Sequence, residues 1–198
     1  MDFGLFYYCQ GRGVPHDQAY AEMLDQITLA ETLGFGECWF AEHHFTDYSL
    51  LPSPNLMIAA ALQRTTRMRF GNYVNVPPFH HPLRLAAEAA ALDNLARGRF
   101  DFGIGKGVRP GEFAKLGLSF DEAPEMTEEA IEILLKLWRE DSVAGLEAIG
   151  VDTLLLVVQL RRPLARAGVS LARAVRRGGD SPAAGLGEPA GSLGQAPT

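Results

Sequence analysis

Two cysteines in 198 residues are too few to staple a fold, and the 29 positions between Cys9 and Cys38 match no metal-binding or redox spacing. They read as free buried thiols in a reducing cytoplasm. No run of about 18 apolar residues occurs, so no membrane span is expected. The opening MDFGLFYYCQGRG has neither a basic stretch nor a small-residue cleavage site and does not read as a signal peptide. Positive charge is scarce as well: a net charge of −6 argues against nucleic acid as a partner. The phosphate-cradling pattern G-x-x-x-x-G-K-[ST] is absent, as is G-x-G-x-x-G, which sets aside the commonest nucleotide-binding loops. His-x-His and His-x-x-x-His, the compact metal spacings, are absent too.

What is present is 47% hydrophobic and 21% charged, enough for one sizeable core. Charge is unevenly spread. Residues 161–198 hold six arginines, no lysine and two acids, so the first 160 residues carry −10 and the remainder +4. The last 21 residues contain six glycines and three prolines, a composition expected to stay disordered. The expected organisation is therefore a folded region over 1–160 and an Arg/Ala/Gly/Pro-rich tail over 161–198.

Along the folded region, apolar runs and helical patterns alternate. Residues 2–8 read as a buried strand. A helix follows from Asp17, a candidate N-cap, to about Leu33, where Gly34 stops it. Further strands are expected over 35–41, 69–76 and 99–104, with helices over 56–63, 82–96, about 111–117 and 125–140. One more strand, Asp152 to Val158, is readable. Strand–helix repetition predicts a parallel α/β fold with right-handed crossovers. A doubly wound sheet and a (β/α)8 barrel compete. Polar residues follow three successive strands: Glu42-His43-His44, then Asn75 with His80-His81, then Lys106. That favours a barrel, whose strand C-termini share one mouth. A full barrel takes about 250 residues, so this sequence supplies about five strands of eight.

The mouth residues allow two chemistries. Glu42, His43, His44, His80 and His81 could ligate zinc or iron. Adjacent histidines in extended chain point to opposite sides, however, so each pair offers one ligand at most to one site. The alternative is a flat organic cofactor beside an acid–base imidazole. In FDFGIGKGVRPGEF, Gly103, Gly105 and Gly107 alternate around Lys106. Alternating glycines can let a ligand approach the backbone, and a lysine can balance a phosphate.

Several motifs in order, FGLF, AE-x-x-GF, WFAEHHFT, HP-x-R and LD-x-L-x-x-GRF-x-FGIG-x-G, together span residues 1–140. This stretch resembles the bacterial luciferase-like flavin monooxygenases, and GLEAIGVDTLLLVVQ is similar to the family's last strand region. The resemblance implies a (β/α)8 barrel using reduced FMN, or in some branches a deazaflavin, with dioxygen and a small organic substrate such as an aldehyde, alkane or sulfonate. It implies a catalytic role for His43 and cofactor contacts for Glu42, Tyr73, Val74, Gly105 and Lys106. It also implies a non-prolyl cis peptide near Tyr73-Val74. Lysine stands at 106 where the luciferases carry arginine, keeping the charge but not the bidentate grip; glycine stands at 105 where they carry a reactive cysteine. A family segment is expected to be missing at about Asp141-Ser142, and the tail resembles a stretch read in a shifted frame. The competing expectation is thus an inactive, truncated barrel that binds flavin weakly. Its unpaired strand edges would invite pairing with a second copy or a full-length relative.

Overall fold

Four short segments pair side by side in a computed structural model that describes residues 3–11 and 13–139. They are β1 (Gly4–Tyr7), β2 (Glu37–Phe40), β3 (Arg69–Asn72) and β4 (Phe100–Asp101), all parallel, in the order β1-β2-β3-β4. The intervening helices are α1 (His16–Thr32), α2 (Pro54–Leu62) and α3 (Pro82–Ala96), followed after β4 by α4 (Pro110–Lys115) and α5 (Ala123–Arg139). A doubly wound sheet reverses its strand order at a switch point. Here the order runs on without reversal, and the helices pack in succession, α1 on α2, α2 on α3, α3 on α5. That is the wall of a (β/α) barrel, as the mouth residues predict. The readable strand 152–158, the boundary at 160, the junction at 141–142 and the tail lie outside the described residues.

Successive strand residues point to opposite faces. One set, Cys38, Phe40, Phe70 and Phe100, is buried under α1, α2 and α3 with Met23, Ile27, Ile58, Ala61, Ala89 and Leu92. Burial pushes the Cys9 and Cys38 thiols up, which keeps them protonated and inert. On α5, Leu134 and Leu137 fall three apart and pack against Leu85 and Ala86 of α3. The opposite set behaves differently. Phe6 is 44% exposed and Tyr73 66%, and Trp39 lies half-buried over Gly71. The expectation of a buried first strand is corrected on this side. A parallel strand is buried on both faces only where both faces are covered, and among the described residues only one is.

Local chemistry sets the element ends. Pro15, not Asp17, is the N-cap of α1, and Asp17 lies in the first turn, where its charge favours the helix start. Gly34 follows the helix at φ +94°. α2 begins at Pro54, earlier than expected, because Ser53 caps it and proline suits the first helical position. α3 matches its expected bounds. β3 stops at Asn72, short of Val76; the Tyr73–Val74 peptide is cis, at the place the family resemblance implies, and the pairing resumes only as an Asn75–Ile104 bridge.

At the end where the strands begin, Glu31 of α1 reaches under the loop entering β3. Its carboxylate accepts from the backbone N–H groups of Thr66 (3.0 Å), Arg67 (2.6 Å) and Met68 (2.7 Å). Burial raises the Glu31 carboxyl, but these donors outweigh it and hold the group below the ordinary carboxylate range.

Candidate active site at the strand ends

The residues just beyond β2 and β3 are drawn together by one carboxylate. Glu42 follows β2 directly, and its side chain has no exposed surface. Its Oε1 accepts from His44 Nε2 (2.8 Å) and His80 Nε2 (2.7 Å). Its Oε2 accepts from the Val76 backbone N–H (2.8 Å) and Asn75 Nδ2 (3.2 Å). Burial raises this carboxyl, yet hydrogen bonds from His44 and His80, the charge of His80 and the Val76 N–H together hold it below the ordinary range. Burial lowers His80, and the bond to Glu42 with the charges of Glu42 and Glu88 more than reverses it, so His80 is raised above 6.5. Four donors on two oxygens leave Glu42 little capacity for a ligand. In this structure it is a buried anchor that ties the end of β2 to the loop after β3.

His43 turns the other way from His44, as alternation in extended chain requires. Its Nδ1 lies 3.0 Å from Glu112 Oε1 in α4, and its ring stacks on Tyr8 at 5.7 Å and meets Tyr48 edge-on at 5.4 Å. Tyr8 in turn touches Phe6 (centroids 4.7 Å), and Phe6 touches Tyr73 (5.7 Å). An exposed aromatic surface therefore runs along the uncovered face of the sheet from Tyr73 through Phe6 and Tyr8 to the His43 imidazole. Arg109, the N-cap of α4, sits 4.4 Å over the Tyr48 ring.

The glycine run has a different cause from the one expected. A Cβ at Gly103 would overlap the carbonyl oxygen of Asn72, one at Gly105 would lie 2.8 Å from Val74, and one at Gly107 would lie 2.9 Å from the Phe113 ring and 3.1 Å from Val76. The alternation lets the chain after β4 lie against the chain after β3, joined by Asn75 N–H to the Gly103 carbonyl (2.8 Å) and Gly105 N–H to the Asn75 carbonyl (3.0 Å). The space a Cβ would take at these glycines is filled by the chain after β3 and by Phe113. Lys106 is exposed, 5.4 Å over the Phe120 ring, and Phe120 packs on Phe113 of α4. Val74 packs on the same Phe113 cluster. His43, Val74 and Lys106 thus converge around α4 and the turn that follows it.

Glu112, Tyr8 and Tyr48 were not among the expected site residues. Glu112 is the one carboxylate in GKGVRPGEF, which is the signal that could have marked it. Among the described residues no cluster of His, Cys, Asp and Glu is arranged to hold a metal ion. His44 and His80 both spend Nε2 on Glu42, and His81 caps α3 through Leu83 N–H. A cavity of about 190 Å³ between β1 and α1, lined by Tyr7, Cys9, Val14 and Met23, lies on the helix-covered side and is below the usual size of a ligand pocket.

The sequence model of the luciferase-like monooxygenases matches residues 1–181. The chain is 41% identical over 138 residues to the uncharacterised protein y4vJ of Sinorhizobium fredii, covering 69% of this chain and 39% of that one. Among solved structures, monooxygenase RslO1 of Streptomyces bottropensis superposes with a TM-score of 0.69 at 36% identity, over 72% of this chain and 44% of that one. The oxygenating constituent of 3,6-diketocamphane monooxygenase of Pseudomonas putida, a type II Baeyer–Villiger monooxygenase in complex with FMN, gives 0.68 at 26% identity, over 71% and 40%. The chain spans about 40% of the length of the curated relatives it matches.

Proposed function

The chain belongs to the luciferase-like monooxygenase family, and from that membership we propose that its strand-end face binds reduced FMN and serves the oxygenation of a small organic substrate by dioxygen. The observation that carries this reading is the exposed aromatic surface from Tyr73 to His43. A flat tricyclic ring needs a broad apolar platform, a proton-exchanging group at its edge and a cation for its phosphate. The platform is Tyr73, Phe6 and Tyr8, the proton-exchanging group is His43, and the cation is Lys106. Val74 and Gly105, packed on one another, form the floor between them.

Bound FMN would supply the electrons that activate dioxygen. This chain's residues do the rest. The aromatic surface orients the ring and excludes water from one side. The imidazole of His43 holds or moves a proton at its free nitrogen. Glu42 contributes by fixing the loops that carry its neighbours. FMN is preferred to a deazaflavin because a 26%-identical relative was solved with FMN. Two buried free thiols fit a reducing cytoplasm, and no helix among the described residues is long and apolar enough to cross a membrane. The uncovered sheet face would be completed by further polypeptide, from a second copy of this chain or a full-length relative.

The test is a fluorescence titration of the full chain with FMN and with riboflavin. Saturable FMN binding is expected. Lys106→Ala should weaken FMN by about tenfold, the effect of one charge-assisted contact of roughly 1.5 kcal/mol, and leave riboflavin unchanged. Equal losses for both ligands remove Lys106 from the phosphate site, and absence of saturable binding overturns the reading.

A further inference from the structure

Resting on the reading above, we propose that Glu112 is the positioning residue that sets the tautomer of His43. The two belong to different elements, the end of β2 and the first turn of α4, yet Glu112 Oε1 lies 3.0 Å from His43 Nδ1. Their side chains are only 9% and 11% exposed. An ionised carboxylate only accepts hydrogen bonds, so Nδ1 must carry the hydrogen that lies between them. In the neutral ring the second nitrogen is then a bare acceptor. His43 Nε2 makes no hydrogen bond among the described residues.

The ring is held in place as well as in tautomer. Tyr8 stacks on one face and Tyr48 meets it edge-on, while the His43 backbone N–H donates to the Leu51 carbonyl at 3.0 Å. Glu112 is itself held: it lies in the first turn of α4, and the next residue, Phe113, is fully buried among Val76, Phe79 and Ala123. The carboxylate is therefore presented by a packed helix and not by a swinging loop. The consequence is directional. With Nδ1 committed to Glu112, the neutral imidazole takes a proton at Nε2 and has none to give there, so His43 serves as a base toward whatever is placed against it. An Nε2–H ring would be a donor and would do the opposite.

The test is nitrogen-15 NMR of histidine-labelled full-length protein, with His43 assigned by comparison with His43→Gln. The wild type should show the Nδ1–H tautomer. Glu112→Gln keeps the size of the side chain but can offer an amide hydrogen to Nδ1; it should move His43 to the Nε2–H tautomer and lower turnover with FMN by about 10²-fold. Glu112→Asp should restore the wild-type tautomer and part of the rate. A wild-type Nε2–H ring, or an unchanged tautomer in folded Glu112→Gln, overturns the proposal. Because the spectra are taken without cofactor, the tautomer is decided even if FMN does not bind, and failure of the flavin reading is told apart from failure of this one.

Discussion

Two buried glutamates brace the sheet from opposite ends, and they differ in what they hold. The Glu31 carboxylate, where the strands begin, accepts only backbone N–H groups, from Thr66, Arg67 and Met68. Glu42, where the strands end, accepts from two imidazoles, an amide side chain and one backbone N–H. Backbone donors do not titrate or change rotamer, so the lower clamp is a fixed part of the scaffold. Side-chain donors can do both, so the upper clamp is adjustable. That division matches the general asymmetry of barrels, in which the strand C-termini carry chemistry and the other end carries stability.

The comparison breaks first at Glu42. Glu42→Ala leaves two imidazoles, an amide and an N–H facing an apolar gap, and should cost about 3–5 kcal/mol, read from the urea midpoint of unfolding. A loss below about 1 kcal/mol would show that the upper clamp is not buried in solution. Glu31→Ala should cost less, about 2 kcal/mol, because two of its three backbone donors belong to the exposed residues Thr66 and Arg67, where water can replace the carboxylate. It should also leave the titration of His80 unmoved, whereas Glu42→Ala should lower it, as followed by NMR.

A pH series sharpens the contrast. Both carboxyls are lowered from 4.5, so their stabilisation is present above that value and is lost as pH falls through their folded values. His80 is raised from 6.5, so its contribution is present below that value and is lost as pH rises through its folded one. Stability should therefore be greatest between 4.5 and 6.5. His80→Phe should flatten the alkaline side of that profile and, because His80 also helps hold Glu42 down, weaken part of the acid side; an unchanged alkaline side would detach His80 from Glu42. The smallest effect is expected on the uncovered face. Tyr73→Ala should change stability by no more than about 0.5 kcal/mol while weakening FMN, since its ring is exposed and meets Phe6 only edge-on.

Much of the scaffold is legible in the sequence because it depends on local chemistry. α3 keeps its expected bounds, with proline at its first position and Gly98 beyond its end. The polar groups after β2 and β3 meet at Glu42, as a barrel mouth requires, while Lys106 after β4 lies apart from them over Phe120. What is not legible depends on contacts between distant parts of the chain. His80 and Glu42 are 38 positions apart, and His43 and Glu112 are 69 apart, so no spacing rule links them. Gly103 and Gly105 carry a pattern that fits close approach of a backbone, but periodicity cannot say whether the visitor is a ligand or the neighbouring strand. Residues 2–8 read as buried because their composition is apolar, and composition does not say whether a strand's second face is covered.

The chain contains only two tryptophans, and they fall on the two sides of the sheet. Trp138 lies edge-on to Phe102 and donates to the Ala86 carbonyl among the helices. Trp39 lies over Gly71 on the open side, its indole N–H held by Glu37. Nature has thus installed a reporter dye on one surface and a reference on the other. Whatever comes to rest on the open side should shift or quench the emission of Trp39 and leave that of Trp138 as a steady background, readable without any label.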